Sequence, residues 1–111
     1  MKIVINGVEF TVKLSGTKAA EEFKRMLPLT LDMSELNGNE KYFYLDTSLS
    51  AQSESVGHIN CGDIMLYGSS CVVLFYESFN TPYTYTRIGQ TENPEGLKSA
   101  VGSGSVTVEF K

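Results

Sequence analysis

Residues 74–90, "LFYESFNTPYTYTRIGQ", set five aromatic rings around Pro82 and run into Arg87, one of two arginines in the chain. Aromatic faces stack on rings and apolar segments, and a guanidinium donates in a planar fork to carbonyls and carboxylates. Tyr76, Phe79, Tyr83 and Tyr85 therefore read as a platform for a peptide or a sugar ring, with Arg87 as the anchor for a ligand carboxylate or carbonyl. The same rings also suit ordinary packing, because aromatics fill a pleated, half-buried surface and pair across strands. Phe79 and Tyr83 flank the turn Asn80-Thr81-Pro82, which makes them the more exposed pair. Arg87 equally suits an ion pair with Glu40 or Glu77 at the rim of a sheet.

Other reactive residue types are sparse. His58, Cys61 and Asp63 stand close in sequence, but a zinc site requires four ligands, or three and an open position. One histidine and a cysteine that opens an apolar strand fall short, so no metal and no cofactor is expected. Cys71 with His58 lacks a third group to orient the base, so no catalytic pair is assigned. "GSGS" at 102–105 has neither a preceding strand nor a lysine and reads as a turn rather than a phosphate cradle.

The bulk properties narrow the partners. At 111 residues the chain is one domain, spanning 1–111, of a size that buries about two-thirds of its unfolded surface. The hydrophobic share of 41% and charged share of 20% are globular. The net charge of −4 comes with no lysine or arginine cluster, and phosphate backbones require one, so nucleic acid is not an expected partner. "MKIVINGVEF" is too short and too interrupted for a signal peptide or membrane span. A cytoplasmic location, no membrane contact and a monomer or weak dimer are the expectations. If "DIMLY" and "CVVLFYE" pair across "GSS", Cys71 faces Tyr67 and Cys61 faces Glu77. About 20 Å of strand then separates the thiols, beyond the roughly 7 Å that a disulfide spans. Two free thiols follow.

The positioning elements are mostly strands. "KIVI-NG-VEFTVKL" is a hairpin on a type I′ turn, with Val8, Phe10, Val12 and Leu14 on its buried face. "SGTKAAEEFKRMLP" changes to a helical period, with Ala19, Ala20, Phe23, Met26 and Leu27 on one stripe, Thr17 as cap and Pro28 as stop. "LTLDMSEL" and "KYFYL" are strands joined through "NGNE". Residues 46–62 form a serine-rich connection, long enough to act as a lid. "DIMLY" and "CVVLFYE" are apolar on both faces, as strands with a core on one side and a helix on the other would be. "YTYTRIG" is a further strand, "NPEGLKSAV" a short helix and "SVTVEFK" the last strand. About eight strands and two helices suit a mainly β, closed or nearly closed eight-stranded antiparallel barrel, each helix capping an open end.

Four short motifs carry a resemblance: Leu27-Pro28-Leu29-Thr30-Leu31, Glu40-Lys41-Tyr42-Phe43, Gly62-Asp63-Ile64 and Arg87-Ile88-Gly89. With this order of elements, the chain resembles the small bacterial and archaeal cyclophilin-like proteins of uncharacterised function. The resemblance implies the cyclophilin-like barrel and an apolar groove. In the prolyl isomerases of that fold an arginine beside the substrate carbonyl is central. Twisting an X-Pro amide weakens its partial double bond, which a donor aimed near the proline nitrogen assists. The comparable strand here, "KYFYLDTSL", has no arginine. Only Phe75 and Tyr76 match the aromatic pair that opens onto the proline pocket. The resulting reading is a non-catalytic module for a short peptide, a proline-containing segment or a small apolar ligand, in a groove of Tyr44, Tyr76, Phe79, Tyr83, Tyr85 and Arg87. The alternatives are a weak prolyl cis-trans isomerase with Arg87 as substitute donor, or an assembly piece whose exposed rings meet a partner.

Overall fold

The computed structural model describes residues 1–111. Its first hairpin pairs β1 (Lys2–Ile5) with β2 (Val8–Leu14) in the register Ile5↔Val8. Asn6 and Gly7 both take positive φ, 49° and 79°, as the type I′ turn demands. Phe10 and Val12 point inward, but Val8, read as the start of the buried face, is 44% exposed. It adjoins the turn, at the margin of the barrel.

Thr17 caps α1 (Lys18–Arg25), its Oγ1 accepting from Ala20 N at 3.1 Å, and Ala19, Ala20 and Phe23 are buried. The chain continues through β3 (Leu29–Leu36) and β4 (Glu40–Tyr44). Two-residue strands β5 (Glu54–Ser55) and β6 (His58–Ile59) follow, then β7 (Asp63–Tyr67) and β8 (Cys71–Phe75). Next come β9 (Phe79–Asn80), β10 (Thr84–Thr91), α2 (Leu97–Val101) and β11 (Val106–Phe110).

Hydrogen bonding closes the sheet. The order β2-β1-β11-β3-β4-β8-β7-β10 returns to its start because β10 also pairs with β2, giving eight antiparallel strands and no free barrel edge. The expected barrel is therefore present. A cluster of 22 buried residues fills it, including Ile3, Ile5, Met33, Leu66, Leu74 and Val108. Phe23 of α1 meets Phe110 edge-on at 5.3 Å, at the end of the barrel where β11 finishes. The carbonyl of Ala100 in α2 accepts from Asn6 Nδ2 at 2.8 Å, at the end where β1 turns into β2. The two helices thus sit at opposite ends, as their apolar residues required.

Two expectations need correction. The outer side of β7 and β8 lies beneath no helix; Ile59 of β6 and Phe79 of β9, paired as a two-stranded ribbon, pack there with Val56. Alternation cannot name the cover, because any apolar layer satisfies it. The serine-rich stretch, read as long enough for a lid, is fastened to the barrel and to α1. Leu49 is buried, Ser50 N and Oγ donate to the Glu22 carboxylate, and Gln52 N donates to Thr86 Oγ1. The thiols of Cys61 and Cys71 are free, as their predicted separation implied. No helix is long and apolar enough to cross a membrane.

Gly89 lies at the closing seam, opposite Leu14 of β2. A Cβ there would stand 2.8 Å from Val12 Cγ1 and 2.9 Å from the Lys13 carbonyl, inside van der Waals contact with backbone that cannot withdraw. Gly89→Ala is expected to destabilise the fold by about 1–3 kcal/mol. The check is the urea midpoint, which an unstrained seam would leave unchanged.

Candidate functional site

Strand parity builds the site. Along β8 and the residue after it, Val72, Leu74 and Tyr76 belong to the interior cluster, while Cys71, Val73 and Phe75 belong to a separate outer one. On β4, Lys41 is buried on the inside, so Glu40, Tyr42 and Tyr44 alternate to the outside. Cross-strand register then lays these residues in rows: Glu40 beside Phe75, Tyr42 beside Val73 and Met65, Tyr44 beside Cys71 and Tyr67. Tyr85 of β10 extends the last row, its ring 5.6 Å from that of Tyr67.

The β6–β9 ribbon covers part of this face, and the uncovered remainder is a groove of about 350 Å³. Its rings are Tyr42, Tyr44, Tyr67, Phe79, Tyr83 and Tyr85. Val73 and Cys71 also line it, and the turn residues Asn37 and Asn39 stand with Leu36 and Glu40 at one end. Two of the ring pairs are close to perpendicular. Tyr42 and Tyr44 stand at 79° with centroids 5.9 Å apart, Tyr67 and Tyr83 at 80° and 6.2 Å. Such edge-to-face pairs stabilise one another and make adjoining walls. Tyr44, Tyr67 and Tyr83 are 64%, 46% and 59% exposed, whereas Tyr85 is 5% exposed and held edge-on against Phe75.

The electrostatics of the groove are one-sided. No lysine or arginine lines it, and Glu40 is its one carboxylate. Burial raises the Glu40 pKa, helped by the charge of Glu35. Tyr85 is raised mainly by burial and next by the field of Glu40, so the carboxylate acts along the groove. Burial also pushes the Cys71 thiol up, which leaves it the protonated, unreactive form. His58 Nδ1 bonds Asn80 Oδ1 at 2.7 Å on the ribbon and does not serve that thiol as a base. No group of three or more His, Cys, Asp or Glu side chains is arranged to hold a metal ion.

Of the residues singled out in the sequence, Tyr44, Phe79, Tyr83 and Tyr85 come together in the groove. Tyr76 and Arg87 stand elsewhere. Tyr76 is 6% exposed and points into the barrel, because it has the opposite parity to Phe75. Its hydroxyl donates to Glu35 Oε1 at 2.6 Å. Phe75, its partner in the resemblance, faces outward but is fully buried under the ribbon and Tyr85. Arg87 faces outward one row from Tyr85, yet its Nε donates to Glu54 Oε1 at 3.1 Å rather than to Glu40 or Glu77. It borders a shallow depression of about 230 Å³ with Lys13, Asp63 and Gln90. The pairing of β5 with β10 brings Glu54 there.

Sequence reasoning passed over Glu40, Tyr42 and Tyr67. Two signals carried them: stepping back by two from Tyr44 reaches Tyr42 and Glu40, and the "GSS" hairpin sets Tyr67 against Cys71. Lys41, between Glu40 and Tyr42, shows how the row is held. Its Nζ donates to Glu35 Oε1 at 2.9 Å and to the carbonyls of Gly102 and Gly104 at 2.9 and 2.6 Å. Burial works to raise the Glu35 pKa, but hydrogen bonds from Tyr76, Lys41 and Gly38 N–H outweigh it and hold the carboxyl below its usual range.

Residues 3–111 match the profile of the cyclophilin-like family. The chain belongs to that family. Searches of curated proteins and of solved structures returned no match. The family assignment agrees with the eight-stranded closure and with both capping helices of this cyclophilin-like domain.

Two measurements test the electrostatic account. Lys41→Met strands a partly buried carboxylate and two carbonyls, so it is expected to lower stability by about 3 kcal/mol; a loss within error in urea unfolding would contradict the network. For Glu40 the folded pKa is raised, so the native state binds more protons than the unfolded one. Stability then falls as pH rises from the ordinary carboxylate value through the raised one. Glu40→Gln should accordingly melt above the wild type at pH 7.5 and converge with it near the unfolded carboxylate pKa of about 4.3. Equal melting points at pH 7.5 would contradict the raised pKa.

Proposed function

We propose that this cyclophilin-like domain is a non-catalytic binding module whose outer aromatic groove takes a short peptide segment or a small, largely apolar ligand. The observation that carries the proposal is the ring-lined groove between ribbon and strands, with three tyrosines left exposed on its walls. A volume of about 350 Å³ falls in the range of small-molecule and peptide side-chain sites. Exposed tyrosine faces bury large area at little cost in rotamer entropy, which suits recognition of extended chains.

The absence of a cation on these walls weighs against prolyl isomerisation. Arg25 belongs to α1, Arg87 is paired with Glu54, and Lys41 is enclosed in the barrel. None of them is a donor in the groove, where a twisted amide nitrogen would need one. The alternative of a weak isomerase keeps only the apolar fit of a proline ring among the tyrosines.

The test is an amide-shift titration with short proline-containing and aromatic peptides, run beside a protease-coupled isomerisation assay. Shifts are expected at residues 40–44, 67–73 and 79–85, and Tyr67→Ala or Tyr83→Ala should each weaken binding by about tenfold, the scale of an aromatic hot spot. The isomerisation rate should stay at that of buffer. Scattered shifts that avoid the groove would refute the reading, and a rate above buffer would favour the isomerase.

A further inference from the structure

We infer that the groove selects a cation, and that its occupant is the lysine side chain of a peptide segment, with the ammonium at the Glu40 end and the alkyl stem along the tyrosines. This rests on the preceding reading of the groove as a binding site and names the chemistry it prefers.

Glu40 is the starting point. It lines the groove and no positive group of the protein pairs with it. Four other glutamates have such partners, Glu9 with Lys2, Glu35 with Lys41, Glu54 with Arg87 and Glu77 with Lys98, and Glu40 is the only glutamate in the groove. A carboxylate withdrawn from water without a counter-charge is costly, and a ligand cation relieves that cost. Beside it, Asn39 carries the one buried side-chain oxygen or nitrogen without a hydrogen-bond partner, its Oδ1. Asn39 also lines the groove, so its side-chain amide stands at the Glu40 end. A carboxylate with no donor calls for a group that carries both charge and N–H bonds, as a primary ammonium does.

The rest of the groove agrees. Ring faces are negative and attract cations, and Tyr42, Phe79 and Tyr85 line the same groove as Glu40. From Glu40 to Tyr44 the outer face of β4 runs four residues, about 13 Å at strand spacing. That length accommodates an extended four-carbon stem beside a short stretch of backbone. An anion would meet the carboxylate and the ring faces, all repulsive. A neutral apolar side chain would fill the tyrosine walls but leave Glu40 without a partner.

The experiment compares two tripeptides, Ac-Ala-Lys-Ala-NH2 and its norleucine counterpart, which differ only in the terminal ammonium, by amide shifts of the intact domain. Butylammonium ion serves as a third probe that lacks the peptide backbone. The lysine peptide is expected to bind at the groove about fivefold more tightly than the norleucine peptide. Glu40→Gln should abolish that preference, so that the two peptides bind it alike, and butylammonium should bind the wild type more weakly than the lysine peptide. Equal affinity of the two peptides at the groove would overturn cation selection and leave the groove reading intact. A lysine preference that survives Glu40→Gln would also overturn it, because the cation would then be held by the general negative charge. Butylammonium matching the lysine peptide would refute the peptide as occupant in favour of a free amine. No groove shifts with any probe would refute both the selection and the binding site.

Discussion

Lys41 enters the barrel from β4 with its ammonium fully enclosed, and three oxygens converge on it: one from Glu35 and the carbonyls of Gly102 and Gly104. The ring of Tyr76 lies 5.2 Å beneath. An ammonium so placed is tolerable only when every proton has an acceptor and the charge has a partner. That demand joins β3, β4, the end of β8 and the turn before β11 at one point. It also fixes the register of β4, since Lys41 inside forces Glu40 and Tyr42 outside. The other oxygen of Glu35 accepts from Gly38 N–H at 2.7 Å, which holds the turn that carries Asn39.

The outer face of the barrel follows from this anchoring. Two layers of apolar residues, one inside and one outside, share strands β7 and β8, so the outer layer needs its own cover. The ribbon of β6 and β9 supplies part of it, with Ile59 fully buried and Phe79 against Phe75. Beyond it Tyr44, Tyr67 and Tyr83 stand open. Phenol rings tolerate that position better than leucine or phenylalanine would, because one end is polar. The result is a groove whose floor and most of whose walls stand on strands, with Tyr83 added from the connection between β9 and β10.

Two glutamates five residues apart show how placement divides roles. Glu35 accepts from Lys41, Tyr76 and Gly38, and its carboxyl is held ionised below the usual range. Glu40 is half-buried on the other face, has no donor, and its pKa is raised. In sequence they are alike, two acids near one asparagine-rich turn. Parity and the position of one lysine separate a structural anchor from a groove carboxylate.

Much of the architecture was legible because it is local. The Asn6-Gly7 turn, the helical stripe around Phe23 and the period of two in β2, β3 and β11 each follow from the conformational preferences of adjacent residues. Three two-residue strands were not legible, since two residues define no period. Val8 illustrates the limit in the other direction, for alternation marks a face but not where the barrel stops.

The site was legible by half. Residue type identified Tyr44, Phe79, Tyr83 and Tyr85, but closeness in sequence drew in Tyr76 and Arg87, which parity and the β5 pairing send elsewhere. The sequence by itself determined the eight barrel strands, the closing turns, the two free thiols and a fold of the cyclophilin-like kind, since these depend on neighbours along the chain. Only the tertiary structure decided which rings share a wall and which acid stands among them. Those depend on cross-strand register among distant segments, where a step of one residue exchanges inside for outside.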